Sequence, residues 1–263
     1  MDLTQILESL KLGKITTSQA KKMLSIYSIE KIEDFAKLDV GRKLRRGIPE
    51  VIFAEKKQIT EIKKIILAAI KRTGYVLVSR INKDDYQKIL TFSKKNRLKT
   101  RVGKKTTSVL FFKNIIQQSG GKIGILTAGT SDIGVAEEAR LMCEAMGCTC
   151  ISSHDVGIAG LHRIFPIVKK MIKEDVDALI VVAGMEGALA SIVSSLVDIP
   201  VIGVPSSVGY GYGEKGIAAL ASMLQSCTLG LSVVNIDNGI GAGAIASNIA
   251  NRSKRNKTVQ QPL

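Results

Sequence analysis

The chain has 263 residues, 45% of them hydrophobic, with 38 Lys and Arg against 23 Asp and Glu for a net charge of +15. That length and apolar fraction suit one large or two modest domains with a real core, and no apolar run reaches the roughly 18–20 residues of a membrane span. Met1-Asp-Leu-Thr-Gln5 shows no basic stretch leading into an apolar one, so no secretory leader is expected. Cys143, Cys148 and Cys150 fall as C-x4-C-x-C, which is not a zinc spacing, and Cys227 stands apart. Free thiols in a reducing, cytoplasmic setting are expected. Residues 1–120 carry 27 Lys and Arg against 11 Asp and Glu, whereas residues 121–263 carry 11 against 12. This asymmetry predicts two domains. With aromatic residues at only 4%, stacking platforms are scarce and nucleic acid is not the expected partner.

Residues 4–25 read as two short helices broken at Gly13, and 29–38 as a third. A basic turn over 39–47 leads to a strand near Val51–Phe53. Residues 59–72 form an amphipathic helix with Ile62, Ile65, Ile66 and Ala69 on one face. A strand over 75–79, a helix over 83–96 and strands within 98–112 complete a small α+β domain, residues 1–118. From Ser119 onward strands and helices alternate. Strands are predicted at 122–127, 149–153, 178–182, 201–204 and 231–236, and helices at 131–147, 160–175, 186–197, 214–226 and 240–251. Apolar strands separated by helices predict an α/β, three-layer αβα domain around a parallel sheet, residues 119–252. The basic tail 253–263 is expected to be disordered.

Ligands of such sheets bind beyond the strand C-termini, and the candidate chemistry lies there. Ala128-Gly-Thr-Ser-Asp132 offers Gly129 for a tight turn, and Thr130, Ser131 and backbone N–H groups for a phosphate. The same groups would serve an ordinary helix cap through Ser131 or Asp132. Ser153–Arg163 holds both histidines and Asp155; His162 is a candidate proton relay, or simply a helix-end residue. In Gly184-Met-Glu-Gly187, Glu186 among apolar neighbours is a candidate general base, or an acid that favours a helix dipole. The Gly203–Gly213 loop contributes Ser206 and Ser207, and the last turn contributes Asp237 and Asn238. Cys227 precedes the final strand. A thiol there can be a nucleophile, although a lone cysteine is commonly a small core residue and a helix C-terminus disfavours the thiolate.

These motifs, in this order, resemble the LarB family, the pyridinium-3,5-biscarboxylic acid mononucleotide synthases of nickel-pincer cofactor assembly. The likeness rests on Ala128–Asp132, Asp155–Arg163, Gly184–Gly187, Gly203–Ser207, Gly209–Gly211, Ser226-Cys227 and Val233–Gly239. It reaches more weakly into the first half through Asp39, Arg42, Arg45, Gly47 and Pro49–Ile52. Gln225, Thr228 and Ile240 depart from the family pattern without removing a functional group. The second domain is also similar in fold to the aminoimidazole ribonucleotide carboxylases, whose serine–aspartate phosphate loop corresponds to Thr130–Asp132.

The resemblance implies carboxylation of C5 of the pyridinium ring of nicotinic acid adenine dinucleotide, with CO2 or bicarbonate as co-substrate, and hydrolysis of its phosphoanhydride to release AMP. It implies Cys227 as covalent nucleophile, with Glu186, Asp155 and His162 beside it as catalytic groups. Gly129, Thr130, Ser131, Asp132, Arg163, Met185, Gly187, Ser206, Ser207, Asp237 and Asn238 are the implied substrate contacts. Mg2+ or another divalent cation is the implied cofactor, and a homo-oligomer, an octamer in this fold, the implied assembly. Two other classes remain open: a carboxylase or mutase acting on an aminoimidazole ribonucleotide, and a non-enzymatic nucleotide-binding module.

Overall fold

A computed structural model describes residues 3–34 and 36–259. The described residues form two compact units, one up to Thr100 together with Leu110–Ile115, the other made of Arg101–Val109 and everything from Ile116 on. The units are thus interlaced in sequence instead of dividing at one position, and the segment 101–109 belongs with the second.

The first unit begins with α1 (Leu3–Lys11) and α2 (Thr17–Leu24). Thr16 starts α2 with a reciprocal capping box: its Oγ1 accepts from the Gln19 amide at 3.2 Å, and Gln19 Oε1 accepts from the Thr16 amide at 2.7 Å. β1 (Ile29–Ile32) and β2 (Ala36–Asp39) follow as an antiparallel hairpin pairing Ile29 with Asp39 and Ile32 with Ala36. This corrects the helix expected over 29–38. The alternation that buries Ile32 and Leu38 has the two-residue period of a strand, and Glu33 turns the chain at φ 46°. The basic turn becomes a short helix, α3 (Arg42–Arg46). The remaining elements are β3 (Val51–Phe53), α4 (Ile59–Thr73), β4 (Tyr75–Ser79), α5 (Lys83–Lys95), β5 (Lys99–Val102) and β6 (Val109–Phe112). Their sheet runs β3-β4-β6-β5, with β3 and β4 parallel. α4 buries Ile62, Ile65, Ile66 and Ala69, the stripe its spacing predicts. Each such isoleucine contributes about 2 kcal/mol of burial.

The second unit alternates strictly: β7 (Lys122–Thr127), α6 (Ile133–Ala145), β8 (Thr149–Ser153), α7 (Ile164–Lys173), β9 (Ala178–Ala183), α8 (Ala188–Leu196), β10 (Val201–Pro205), α9 (Ile217–Leu224), β11 (Leu231–Val233) and α10 (Gly239–Val259). All five strands are parallel, in the order β11-β10-β9-β7-β8. Two apolar layers sandwich them. Ala136, Ala139 and Cys143 of α6 pack with Ala242, Ala246 and Ala250 of α10 on one face. Ile164, Val168 and Met171 of α7, Leu189 and Val193 of α8 and Met223 of α9 cover the other. This is the αβα architecture expected. Because α6 and α8 leave neighbouring strands toward opposite faces, the chain changes direction between β7 and β9 and opens a crevice there.

Beyond residue 252 the chain is helical to Val259, where a disordered tail was expected; residues 260–263 lie outside the described residues. The stretch has no Gly or Pro to end the helix. Lys254 Nζ pairs with Asp177 Oδ1 at 3.2 Å, and Asn251 Nδ2 donates to the Met146 carbonyl at 3.2 Å.

Candidate active site

The crevice holds a cavity of about 320 Å³, walled by the turns that leave β7, β8 and β9 and by Val208 beyond β10. After β7, a 3-10 turn over Thr130–Asp132 leads into α6. Asp132 folds back so that its Oδ2 accepts the Gly129 amide at 2.8 Å, which fixes the turn. The side chain is only 3% exposed, and its Oδ1 is buried without a hydrogen-bond partner. Burial pushes its carboxyl above the usual aspartate range. The Gly129 N–H and the Ser206 hydroxyl pull it partly back, and the nearby Asp237 charge pushes it up again. An orphaned buried carboxyl oxygen at a cavity wall calls for a hydrogen-bond partner from a ligand.

After β8, Asp155 adopts φ 60° and Arg163 doubles back over it. Arg163 Nη1 donates to the Asp155 carbonyl at 3.0 Å and to its Oδ2 at 3.2 Å, and Nη2 reaches the Gly157 carbonyl at 3.5 Å. After β9, Met185 takes φ 51° and its amide donates to the Val208 carbonyl at 3.1 Å. Gly184 is required here, since a Cβ would stand 2.0 Å from the Val208 carbonyl oxygen. Glu186 stands exposed on the cavity wall, not in the apolar setting its sequence neighbours suggested. The turn, with positive φ at both Met185 and Gly187, lifts the side chain away from those neighbours.

Of the candidate residues, Gly129, Ser131, Asp132, Asp155, Arg163, Met185 and Glu186 line this one cavity. Thr130 and Gly187 sit on those turns without lining it, and Ser206, Ser207, Asp237 and Asn238 lie beyond the ends of β10 and β11. Ser206 is fully buried and its Oγ accepts the Val208 amide at 3.1 Å. Asp237 Oδ1 accepts the Ser207 amide at 2.8 Å, and Asn238 Oδ1 accepts the Gly241 amide at 2.8 Å at the start of α10. His162 is exposed and does not line the cavity.

Cys227 is also outside it. The thiol is free and exposed, on the connection from α9 to β11. That connection is fastened to α8, with Ser191 Oγ donating to Ser226 Oγ at 2.8 Å and Thr228 Oγ1 to the Ser191 carbonyl at 3.3 Å. It enters β11 at the N-terminal end of the strand, whereas the cavity turns leave the C-terminal ends of theirs.

Reading motifs alone passed over Thr127 and Val208. Thr127 Oγ1 lies 3.3 Å from His154 Nδ1 and accepts the Asp155 amide at 3.4 Å, tying two strand ends together. Its place as the last residue of an apolar strand was the available signal. Among the described residues, no three His, Cys, Asp or Glu side chains gather as a metal site, and no helix is long and apolar enough to cross a membrane.

The AIR carboxylase family model matches residues 122–262, and a LarB/PurE-like N-terminal domain model matches residues 29–103. An uncharacterized protein of Methanocaldococcus jannaschii is 47% identical over 253 residues, covering 95% of this chain and 97% of the relative. An N5-carboxyaminoimidazole ribonucleotide mutase of Pyrococcus horikoshii is 30% identical over 132 residues, covering 48% of this chain and 71% of the mutase. The corresponding mutase of M. jannaschii is 30% identical over 129 residues, covering 48% and 77%.

Proposed function

Since the chain belongs to the AIR carboxylase family, carries a LarB/PurE-like N-terminal domain and is an enzyme of that carboxylase–mutase type, we propose that it carboxylates C5 of nicotinic acid adenine dinucleotide and cleaves its phosphoanhydride. The products are pyridinium-3,5-biscarboxylic acid mononucleotide and AMP. One observation carries this reading: an exposed, free Cys227 accompanies the LarB/PurE-like N-terminal domain. The mutases align with only about half of this chain.

A pyridinium ring is too electron-poor to attack CO2. Addition of the Cys227 thiolate forms an S–C4 bond and moves an electron pair onto the ring nitrogen, giving a neutral dihydropyridine. Its C5 is then the nucleophilic carbon of an enamine and forms a bond to CO2. Glu186 takes the C5 proton, which restores the enamine. The nitrogen pair then expels the thiolate and the aromatic cation returns. Water completes the reaction by displacing one phosphate of the diphosphate from the other.

Cys227 and Glu186 must meet across one ring, yet the thiol stands outside the cavity of its own chain. The homo-oligomer implied by the family likeness answers this if a second copy brings its thiol to the first copy's cavity.

The test is incubation with the dinucleotide, isotopically labelled bicarbonate and magnesium, followed by mass spectrometry. AMP and a labelled dicarboxylated mononucleotide are expected. Well-folded protein that yields neither would sink the proposal. The ribonucleotide mutase reading, favoured by the relatives at 30% identity, predicts instead conversion of a carboxylated aminoimidazole ribonucleotide, undiminished in Cys227→Ala.

A further inference from the structure

We propose that Lys105, delivered by the loop between β5 and β6, is a substrate-anion contact of the β7–α6 cradle. The inference rests on the nucleotide reading of that cavity and adds a residue that lies between the two family matches, which end at 103 and resume at 122.

The loop is built into the second unit by α6. Lys104 N donates to Glu137 Oε2 at 2.9 Å, and Ser108 Oγ donates to Glu138 Oε1 at 2.7 Å. Arg140 Nη2 donates to the Val102 carbonyl at 3.0 Å, while the same nitrogen holds Glu137 Oε2 at 2.8 Å. Glu137 and Glu138 are 5% and 7% exposed. Buried carboxylates are costly unless hydrogen-bonded, and here two of them hold one short loop, Glu137 through the Lys104 amide and Glu138 through the Ser108 hydroxyl. The approach is close as well: a Cβ on Gly134 would lie 2.6 Å from the Lys105 carbonyl oxygen. The loop's position on α6 is therefore specified by several independent contacts.

The result is that Lys105 Nζ sits 3.0 Å from the Thr130 carbonyl, beside the turn that bounds the cavity. An ammonium has three donors, and Thr130 is the partner found for Lys105 among the described residues. The cavity needs that charge. Asp132, Asp155 and Glu186 line it, and Arg163, the cation among its described lining residues, is already bonded to Asp155. A diphosphate or nucleoside phosphate would meet net negative charge there without a further cation. The unpartnered Oδ1 of the 3% exposed Asp132 independently points to a ligand with a hydrogen-bonding group there. An anion for Lys105 and a hydroxyl for Asp132 together describe a ribose phosphate.

Equilibrium dialysis of the full chain against nicotinic acid adenine dinucleotide at low salt tests this. Lys105→Ala is expected to raise Kd about tenfold or more, as loss of a charge-assisted hydrogen bond does, and to raise KM more than it lowers kcat. Lys105→Arg should stay within about threefold of wild type, since the charge is kept. Lys104→Ala should stay within about twofold, as an exposed charge with no role in the cradle. Equal Kd for wild type and Lys105→Ala, or an equal loss in Lys104→Ala, overturns the assignment. If wild-type protein ignores the dinucleotide but binds 5-aminoimidazole ribonucleotide, the proposed function fails and the Lys105 comparison moves to that ligand. Its 5′-phosphate makes the same demand, so equal affinity overturns the inference there too. Wild-type protein that binds neither ligand overturns both.

Discussion

Around the crevice, functional groups are held by the fold before any ligand arrives. Asp132 is 3% exposed and bonded to its own turn, and Arg163 is tied to Asp155 and two carbonyls. The connection carrying Cys227 is different. Its neighbours Ser226 and Thr228 are fastened to α8, yet the thiol faces outward, and Leu224 and Leu229 nearby are 67% and 92% exposed. The candidate recognition groups are thus pre-organised in one region, while the proposed nucleophile is left accessible in another. The contrast teaches that binding and covalent chemistry should be separable by mutation in this protein.

The widest separation is expected at Cys227. Cys227→Ala should lower carboxylation at least about ten thousandfold, the scale of losing a nucleophile, while dinucleotide affinity by dialysis stays near wild type. A parallel fall in affinity would erase the contrast. Glu186→Gln should cost about a hundred- to thousandfold in kcat, within the range of a lost general base, measured by AMP release at saturating substrate. Mixing the two inactive variants as reassembled oligomers sharpens the comparison further. If thiol and base come from different copies, equal mixing restores roughly a quarter of wild-type activity by random assortment. No recovery would place both groups in one chain.

Smaller effects distinguish the cradle from the strap behind it. Glu137→Ala leaves Arg140 short of a buried partner and should destabilise the fold by about 3 kcal/mol, read from urea unfolding. The pH dependences have opposite signs. Although burial raises the Glu137 carboxyl, the Arg140 guanidinium and the Lys104 amide outweigh it and hold the group below its usual range. Its contribution is therefore present above the unfolded-state pKa and is lost as pH falls through the lower folded value. Asp132 is raised by burial, so its folded form holds a proton that the unfolded chain has released. Stability falls as pH rises from the ordinary aspartate range through the raised value, and Asp132→Asn should flatten that limb. Unchanged profiles in the two variants would remove the distinction.

Much of the crevice was legible because strand-end glycines and hydroxyls sit next to the apolar runs that become β7, β8 and β9. Where period is ambiguous, the sequence misleads: Ile29, Ile32 and Ala36 have the i, i+3, i+7 spacing of a helix stripe, yet they lie in an antiparallel hairpin. The exposure of Glu186 depends on backbone dihedrals at Met185 and Gly187, which residue types alone do not set. The strap was illegible because its partners are remote. Lys104 and Glu137 are 33 residues apart, and nothing local to either announces the other. The helix beyond residue 252 is hard to read because its basic, polar composition looks like a tail although its residues tolerate a helix.

The distribution of the thiols has a practical corollary. Cys143 and Cys148 are buried and Cys150 is half-buried, whereas Cys227 is exposed. A hydrogen bond to Cys143, with burial, pushes the Cys150 thiol up, and burial raises Cys148. Toward a coloured disulfide reagent the native chain should behave as a single-cysteine protein, releasing one fast equivalent from Cys227 and the remaining three only as the structure opens. A fluorophore or crosslinker can then be placed at the proposed nucleophile without engineering, and the slow equivalents serve as a built-in clock for unfolding.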